Sequence, residues 1–201
     1  ERILDLCAAP GGKTTHLAQL MQDQGEICAV DISPAKLQLV QENCQRLGIS
    51  IVKARALDAT RPLPFPPRSF DGCLVDAPCT GLGTLRRHPE GKWRVAEADI
   101  LRLQEMQGQI LRQAAPLIKE GGILVYSTCT LTQAENEGVI ETFLFEHKEF
   151  SLEHASSLLP AGCEALVDAK GYLRTLPHRH GMDGFFAARM SRTVAQRHPI
   201  I

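Results

Sequence analysis

Two cysteines stand at positions from which a side chain can do chemistry. Cys79 and Cys129 each follow a strand-like apolar run, within residues 76–81 and 127–130, where proline, threonine and glycine surround them. A thiolate in a loop beyond a strand end can be exposed to substrate and stabilised by backbone N–H groups. Two such thiolates beside a nucleotide-like cofactor would suit covalent chemistry on an electrophilic ring.

The chain has seven cysteines, and several of the others favour a structural interpretation. Cys28, Cys44 and Cys73 lie inside apolar segments, as is typical of inert core residues. No CxxC pair occurs, and no Cys/His spacing fits a zinc site. We therefore expect no metal and no disulfide framework, with reduced thiols as in a cytoplasmic protein.

A glycine loop follows the first apolar run. Residues 7–14 place Gly11 and Gly12 directly after the predicted first strand and before a helix. Glycine lets a loop backbone approach a ligand closely, and the helix N-terminus behind it offers free N–H groups. The loop is not the GxGxxG of dinucleotide sites, and it lacks the first glycine of a P-loop. A nucleoside-like ligand and a plain tight turn are both open on this pattern alone.

Acidic residues lie at the end of the second predicted strand and just after the third. Asp31 comes 20 positions after Gly11, where a carboxylate can accept both ribose hydroxyls. Asp58 follows the third strand and could accept a hydrogen bond from an adenine amino group. With no phosphate-binding arginine nearby, the pattern favours a nucleoside without a pyrophosphate. S-adenosylmethionine fits that description.

Asp76 and Cys79 follow the fourth predicted strand, and Cys129 follows the fifth. We expect these strands to be neighbours of the first strand. Ligands of an open parallel sheet bind beyond the carboxyl ends of its strands, so the three loops should meet at one edge. The alternative for Asp76 is a cap or a loop organiser.

Composition indicates one globular domain, with 44% hydrophobic and 22% charged residues in a chain of 201. No apolar run approaches the roughly 20 residues that span a bilayer, and no secretory leader opens the chain. The net charge is −1, although nucleic-acid-binding proteins are usually basic. Positive charge is concentrated in residues 86–94, around Trp93, and in residues 174–180. Either cluster could line a phosphate track or be solvated loop charge.

Apolar runs alternate with helical patterns along the chain, as is typical of a parallel sheet covered on both faces. Ser33 and Pro34 predict the start of the second helix, and Gly48 its end. Residues 132–135 have the capping-box form. Residues 160–182 read as an ordered loop with a short hairpin. The predicted strands are 3–6, 27–32, 51–56, 70–75, 123–126 and 184–190, and the predicted helices are 14–21, 34–47, 97–117 and 132–147.

The glycine loop and the two cysteine loops resemble the signature motifs of RNA cytosine carbon-5 methyltransferases, the RsmB/NOP2/NSUN family. They are residues 5–14, 76–81 and 127–130, in the family's order. The likeness is greatest to the bacterial Sun/Fmu group, which modifies 16S ribosomal RNA. Residues 86–93 and 180–186 are similar to further segments of that group, so the resemblance covers nearly the whole chain.

The resemblance implies an α/β fold, the Rossmann-like class I S-adenosylmethionine-dependent methyltransferase. Its mostly parallel seven-stranded sheet has helices on both faces and an antiparallel strand near the end. It also implies RNA as the partner and S-adenosylmethionine as the cofactor. The implied cofactor-binding residues are Cys7, Ala8, Ala9, Pro10, Gly11, Gly12, Lys13, Asp31, Asp58 and Asp76.

The resemblance also implies catalytic roles. Cys129 would be the nucleophile, and Cys79 would assist release of the methylated base. Asp76 would contact the cytosine ring near N3, and Lys13 would help to position the substrate. Residues 1–191 would form the catalytic domain and 192–201 a C-terminal tail. Family members carry RNA-binding sequence before the first strand, and we expect that region to be absent from this chain. We also expect the protein to be a monomer.

Other functions are open. The substrate could be transfer RNA instead of ribosomal RNA. A methyltransferase acting on an amine would place an Asn/Asp-Pro-Pro-aromatic tetrad after the fourth strand, but Cys79 stands at the aromatic position. A non-catalytic ribosome assembly factor has no need of a thiolate, so the two cysteine motifs argue against it.

Overall fold

The computed structural model describes residues 1–194, in which strands and helices alternate. The strands are β1 (Arg2–Leu6), β2 (Glu26–Asp31), β3 (Val52–Ala56), β4 (Phe70–Asp76), β5 (Ile118–Thr128), β6 (Phe150–Glu153), β7 (Leu173–Thr175) and β8 (Phe185–Arg192). The α-helices are α1 (Gly12–Leu20), α2 (Pro34–Leu47), α3 (Glu97–Ala114), α4 (Glu137–Glu146) and α5 (Pro177–His180).

A single sheet contains all of these strands, in the order β3-β2-β1-β4-β5-β8-β6. The pairs from β3 to β5 are parallel, and β8 runs antiparallel to both β5 and β6. The short β7 pairs with the first residues of β8, beside the stretch that β6 occupies. The predicted fold class is confirmed, with β7 as an eighth strand beside the seven-stranded path.

Helices cover both faces of the sheet because side chains of a strand point alternately to opposite sides. Cys28 and Val30 of β2 join the larger core with Ile110 of α3 and Ile140 of α4. Ala29, between them, packs in a second cluster with residues of α2. The strands nearest the middle of the sheet are therefore apolar on both faces, as parallel strands must be when both sides are covered.

The limits of α2 follow the prediction. Ser33 is extended, and its hydroxyl accepts a hydrogen bond from the backbone N–H of Lys36. Pro34 occupies the first turn, and Gly48 ends the helix in the left-handed conformation at φ 67°. Each residue therefore does what its chemistry favours at that position.

Other boundaries differ from the prediction. Strand β5 begins at Ile118, five residues before the predicted strand 123–126, with an irregularity in its pairing to β4 near Gly72. Helix α3 ends at Ala114, and a 3₁₀ turn over Ala115–Leu117 replaces its predicted last turn. Strand β6 was not predicted, because four residues carry too little periodicity. The predicted tail, 192–201, lies outside the described residues from position 195 onward.

Two loops come together at Gly83 and Gly184, next to the carboxyl end of β5. The N–H of Gly83 donates to the carbonyl of Cys129 at 2.9 Å, and the N–H of Gly184 donates to the carbonyl of Gly83 at 2.8 Å. A Cβ atom on Gly83 would lie 2.1 Å from the Gly184 oxygen and 2.7 Å from the Cys129 oxygen. Only glycine fits at this crossing.

We predict that Gly83→Ala destabilises the protein by about 1–3 kcal/mol, because the methyl group must displace backbone on two sides. Urea unfolding followed by circular dichroism measures the loss. Gly108→Ala is the matched control, since its Cβ would meet only the Arg112 side chain, at 3.6 Å or more. Inside α3 that change should stabilise by up to about 1 kcal/mol. Equal stability of the Gly83 variant and the parent would contradict the prediction.

Candidate active site

The structure brings the two cysteine loops into direct contact. Strands β4 and β5 are parallel neighbours in which Asp76 pairs with Ser127, so Cys79 and Cys129 leave the sheet side by side. Their Sγ atoms are 3.4 Å apart, and both side chains are half-buried. The expectation that these loops meet at one edge of the sheet agrees with this geometry.

The contact gives the two thiols opposite acidities. Either thiol can donate the hydrogen bond that joins the two sulfurs. This hydrogen bond lowers the pKa of Cys129 to about 7 despite its burial. The same hydrogen bond, together with burial, raises the pKa of Cys79. One proton is thus shared by two sulfurs, and Cys129 is the more acidic thiol of the pair. A thiolate near neutral pH is the nucleophilic form.

Asp76 lies between the cysteines and the glycine loop. Its Oδ2 accepts a hydrogen bond from the Lys13 ammonium at 2.5 Å, and its Oδ1 accepts one from the Ser127 hydroxyl at 2.8 Å. The ammonium of Lys13 also lies 5.3 Å from the centre of the Phe185 ring. The four predicted catalytic residues, Lys13, Asp76, Cys79 and Cys129, therefore form one cluster.

The glycine loop joins this cluster to a small cavity of about 210 Å³. The cavity is lined by Asp5, Cys7, Ala8, Ala9, Pro10, Gly12, Lys13 and Asp76. Gly11 is not among these lining residues. Its backbone is left-handed at φ 103°, and a Cβ atom on it would lie 3.0 Å from the backbone of Val40. Gly11 thus permits close packing on α2, while Gly12 faces the cavity.

Asp31 and Asp58 lie in an adjoining cavity of about 300 Å³, which shares Cys7 with the smaller one. Oxygens of Asp31 accept hydrogen bonds from the N–H groups of Ala9 and Ser33. Hydrogen bonds from Thr60 hold the pKa of the Asp58 carboxyl below its ordinary value. Both carboxylates are held by the protein, while the cavity walls include Leu57, Pro78, Met106 and Ile110.

Asp5 was not predicted as a site residue. Its Oδ2 accepts a hydrogen bond from the Thr14 hydroxyl at 2.6 Å, and its buried Oδ1 has no partner among the described residues. Burial raises the pKa of this carboxyl to about 7. The sequence signal was present, because Asp5 precedes the glycine loop at the start of the same motif, but its position inside β1 indicated a core residue.

Glu135 was predicted as a capping-box residue with Thr132, and the structure contains only half of that motif. The N–H of Glu135 donates to the Thr132 hydroxyl at 3.4 Å, and that hydroxyl donates to the Glu135 carboxylate at 2.7 Å. Helix α4 begins two residues later, at Glu137, with Asn136 as its N-cap. The Glu135 side chain is fully buried beneath the two cysteine loops, where Thr80 donates to it from both its N–H and its hydroxyl. A carboxylate engaged in this way cannot reach back to the backbone N–H of Thr132.

Neither a metal site nor a membrane-spanning helix is found in the part of the chain that the structure describes. No group of three or more His, Cys, Asp and Glu side chains there is placed to hold a metal ion. No helix among those residues is both long and apolar enough to cross a bilayer.

We predict that alkylation of Cys129 by iodoacetamide rises with pH around a midpoint near 7, since only the thiolate reacts. Peptide mass spectrometry between about pH 5.5 and 9.5 measures the rate site by site. Cys79→Ala removes the donated hydrogen bond, so the midpoint should move up toward about 8.5, the value of a free cysteine peptide. A wild-type midpoint already at that value would contradict the shared proton.

Comparison with known proteins agrees with this geometry. The family model described as 16S rRNA methyltransferase RsmB/F matches residues 1–191. The chain is 47% identical over 193 residues to the probable ribosomal RNA small subunit methyltransferase B of Synechocystis sp., and 43% identical over 194 residues to that of Bacillus subtilis. Each alignment covers 96% of this chain and 43% of the relative, so the chain spans less than half the length of these curated relatives.

The chain is also similar to a solved structure. NSun6 from Pyrococcus horikoshii, determined with SFG, superposes with a TM-score of 0.80 at 35% identity, over 96% of this chain and 49% of that one. The resemblance found in the three sequence motifs is confirmed. The chain belongs to the RsmB/F family of 16S ribosomal RNA methyltransferases.

Proposed function

We propose that the protein transfers a methyl group from S-adenosylmethionine to carbon 5 of a cytosine in 16S ribosomal RNA. The observation that supports this most directly is the pair of sulfurs 3.4 Å apart, of which Cys129 is the more acidic, next to Lys13 and Asp76. The curated relatives named as ribosomal RNA small subunit methyltransferases favour the ribosomal substrate over transfer RNA. Location in the cytoplasm is part of the same proposal.

The two adjoining cavities fit S-adenosylmethionine. An adenosine suits the larger one, where Asp31 and Asp58 offer carboxylates for hydroxyl and amino donors beside apolar walls. The unpartnered Asp5 oxygen and the Gly12 backbone suit the charged amino acid end in the smaller one. The relative NSun6 was solved with SFG, an analogue of the same compound. When bound, S-adenosylmethionine supplies an electrophilic methyl group.

The residues of the chain would perform the remaining steps. Carbon 5 of cytosine is a poor nucleophile, so the Cys129 thiolate first adds to carbon 6 and forms an S–C bond. Electron density then moves to carbon 5 and to N3, where a proton or hydrogen bond from the Lys13–Asp76 pair stabilises it. Carbon 5 becomes enamine-like and is able to accept the methyl group.

Release needs a base. Once Cys129 is bonded to carbon 6, the Cys79 thiol has lost the sulfur with which it shared a proton. Cys79 then gives its own proton to solvent, and the resulting thiolate takes the proton from carbon 5. The electron pair of that C–H bond restores the ring double bond, and Cys129 leaves as a thiolate. The target base reaches this site by leaving its stack, as in other enzymes that modify bases.

We predict that Cys79→Ala accumulates a covalent protein–RNA adduct, because the carbon 5 proton then has no base. A denaturing gel with labelled RNA detects the adduct. Cys129→Ala should lose methyl transfer by roughly 10³-fold or more and form no adduct, with cofactor binding by calorimetry unchanged. Cys163→Ala, at a half-buried thiol remote from the site, is the matched control.

Product analysis separates the competing functions. A 5-methylcytosine product on 16S ribosomal RNA supports the proposal. The same product on transfer RNA alone would support methylation of carbon 5 but refute ribosomal RNA as the substrate. An N-methylated product, or full transfer by Cys129→Ala, would refute the covalent route. Absence of cofactor binding would favour the non-catalytic assembly factor.

A further inference from the structure

A broad groove beside the cysteine pair has no role in the mechanism above. Its volume is about 610 Å³, and its walls come from two distant segments that the fold joins. One contributes Arg86 and Arg87, and the other contributes Gly181, Asp183 and Phe185. The Arg86 guanidinium donates to the Gly181 carbonyl at 2.5 Å, and Arg87 pairs with Asp183 at 2.9 Å.

The inner end of the groove reaches the catalytic cluster. Phe185 lines the groove, and its ring lies 5.3 Å from the Lys13 ammonium, which in turn pairs with Asp76. A chain lying in the groove would therefore run directly into the site proposed for the target base.

The segment that contributes Arg86 and Arg87 to the groove is positively charged, while Asp183 lines the groove opposite Arg87. Residues 86–94 carry four Lys and Arg side chains against Glu90 alone, although the whole chain has a net charge of −1. Arg87 remains 74% exposed despite its pairing with Asp183, so N–H groups are left for a further acceptor. Trp93 is 84% exposed, with the Lys92 ammonium 5.2 Å from its ring. Exposed aromatic rings among cations are typical of surfaces that bind single-stranded nucleic acid.

We propose that this groove binds the single-stranded RNA next to the target cytosine, with phosphates on Arg86 and Arg87 and a base stacked on Trp93. The proposal rests on the proposed function and names the surface that would present the substrate. Of the two positive clusters in the sequence, the groove takes Arg86 and Arg87 from the first, while Arg174 of the second pairs with Glu137 and Asp168.

The test is RNA binding by the full-length protein, with 16S ribosomal RNA and a short cytidine-containing oligoribonucleotide as probes. Arg86→Ala/Arg87→Ala should raise KM for RNA about tenfold or more and leave cofactor affinity unchanged. Losing two phosphate contacts should make the slope of log K against log salt shallower by about 1.4. Trp93→Ala should weaken oligonucleotide binding roughly tenfold with the salt slope unchanged.

The control removes the same charge elsewhere. Arg68→Ala/Arg112→Ala also takes away two arginines that are bound within the fold, here by Glu120 and Glu146. RNA affinity equal to wild type in the Arg86/Arg87 variant, or an equal loss in the control, would overturn the proposal. Loss of a ribosomal protein contact with RNA affinity intact would assign the groove to a protein partner and also refute it. An N-methylated product together with impaired RNA binding would refute only the proposed function.

A different observation carries a second proposal, which concerns Glu135. Its fully buried carboxylate accepts hydrogen bonds from the Thr80 N–H at 2.8 Å and from the hydroxyls of Thr80 at 2.6 Å, Thr132 at 2.7 Å and Thr130 at 3.3 Å. Thr80 follows Cys79, and Thr130 follows Cys129. Gln107 of α3 donates both to this carboxylate and to the Pro78 carbonyl, which precedes Cys79.

We infer that Glu135 is a positioning residue that holds the two sulfurs in contact, because it binds the residue next to each cysteine. It touches neither sulfur. Glu135→Gln keeps the shape but removes the negative charge, and its NH₂ group can pair with the threonine hydroxyls only if they turn to accept. The charge-assisted hydrogen bonds that hold the two loops are then lost, which loosens the contact between the sulfurs.

The expected result is a fall in kcat of about 10²-fold with little change in KM or cofactor affinity. The alkylation midpoint of Cys129 should also rise toward that of a free cysteine, which a merely structural loss would not produce. The charged groups that influence Cys129 are Asp76 and Lys13, and both are unchanged in this variant. Glu137→Gln is the control, since the Glu137 carboxylate, in α4, pairs with Arg174 of β7.

An unchanged midpoint and kcat in Glu135→Gln, or equal shifts in Glu137→Gln, would overturn the assignment. If Glu135→Gln does not fold, Thr80→Val removes the hydroxyl that donates to Glu135 at 2.6 Å and contacts the Thr130 hydroxyl at 2.7 Å, and it keeps the Thr80 N–H. Thr80→Val should also raise the alkylation midpoint of Cys129. An unchanged midpoint in that variant would likewise overturn the assignment of Glu135.

Discussion

The parallel pairing of β4 with β5 is the constraint on which the site depends. It sets Asp76 opposite Ser127 and makes the two strands end together, so their loops start as neighbours. The sulfur contact between Cys79 and Cys129, the shared proton and the hydrogen bond from Ser127 to Asp76 all follow from that register. A shift of the register by one residue would point Asp76 to the other face of the sheet.

Burial of polar groups is the means by which the protein holds these loops in place. Glu135, Gln107 and Thr130 are fully buried, and each makes hydrogen bonds that end on a cysteine loop. A buried network is stable only when its members find partners, so it has few alternative arrangements. The loops are therefore held rigidly from beneath, while the groove above them is open to a large substrate.

Much of the fold could be predicted from the sequence, because the central strands and α2 have clear local signals. Apolar runs, Ser33 and Gly48 identify their elements without help from distant residues. The predicted catalytic residues also came together, since three motifs in order carry strong information. Strand β6, the early start of β5 and the role of Glu135 were missed. Each depends on partners far along the chain, and for Glu135 the local capping-box pattern was outweighed by the buried donors on Thr80.

The sequence by itself determined the family, the alternating order of strands and helices, and the identity of the reactive side chains, because these reside in local patterns and residue types. Only the tertiary structure decided the 3.4 Å contact that gives Cys129 its low pKa, and the joining of residues 86–94 with Gly181 and Asp183 into one groove. The physical reason is that acidity and electrostatic potential depend on distances across the fold, which no single segment contains.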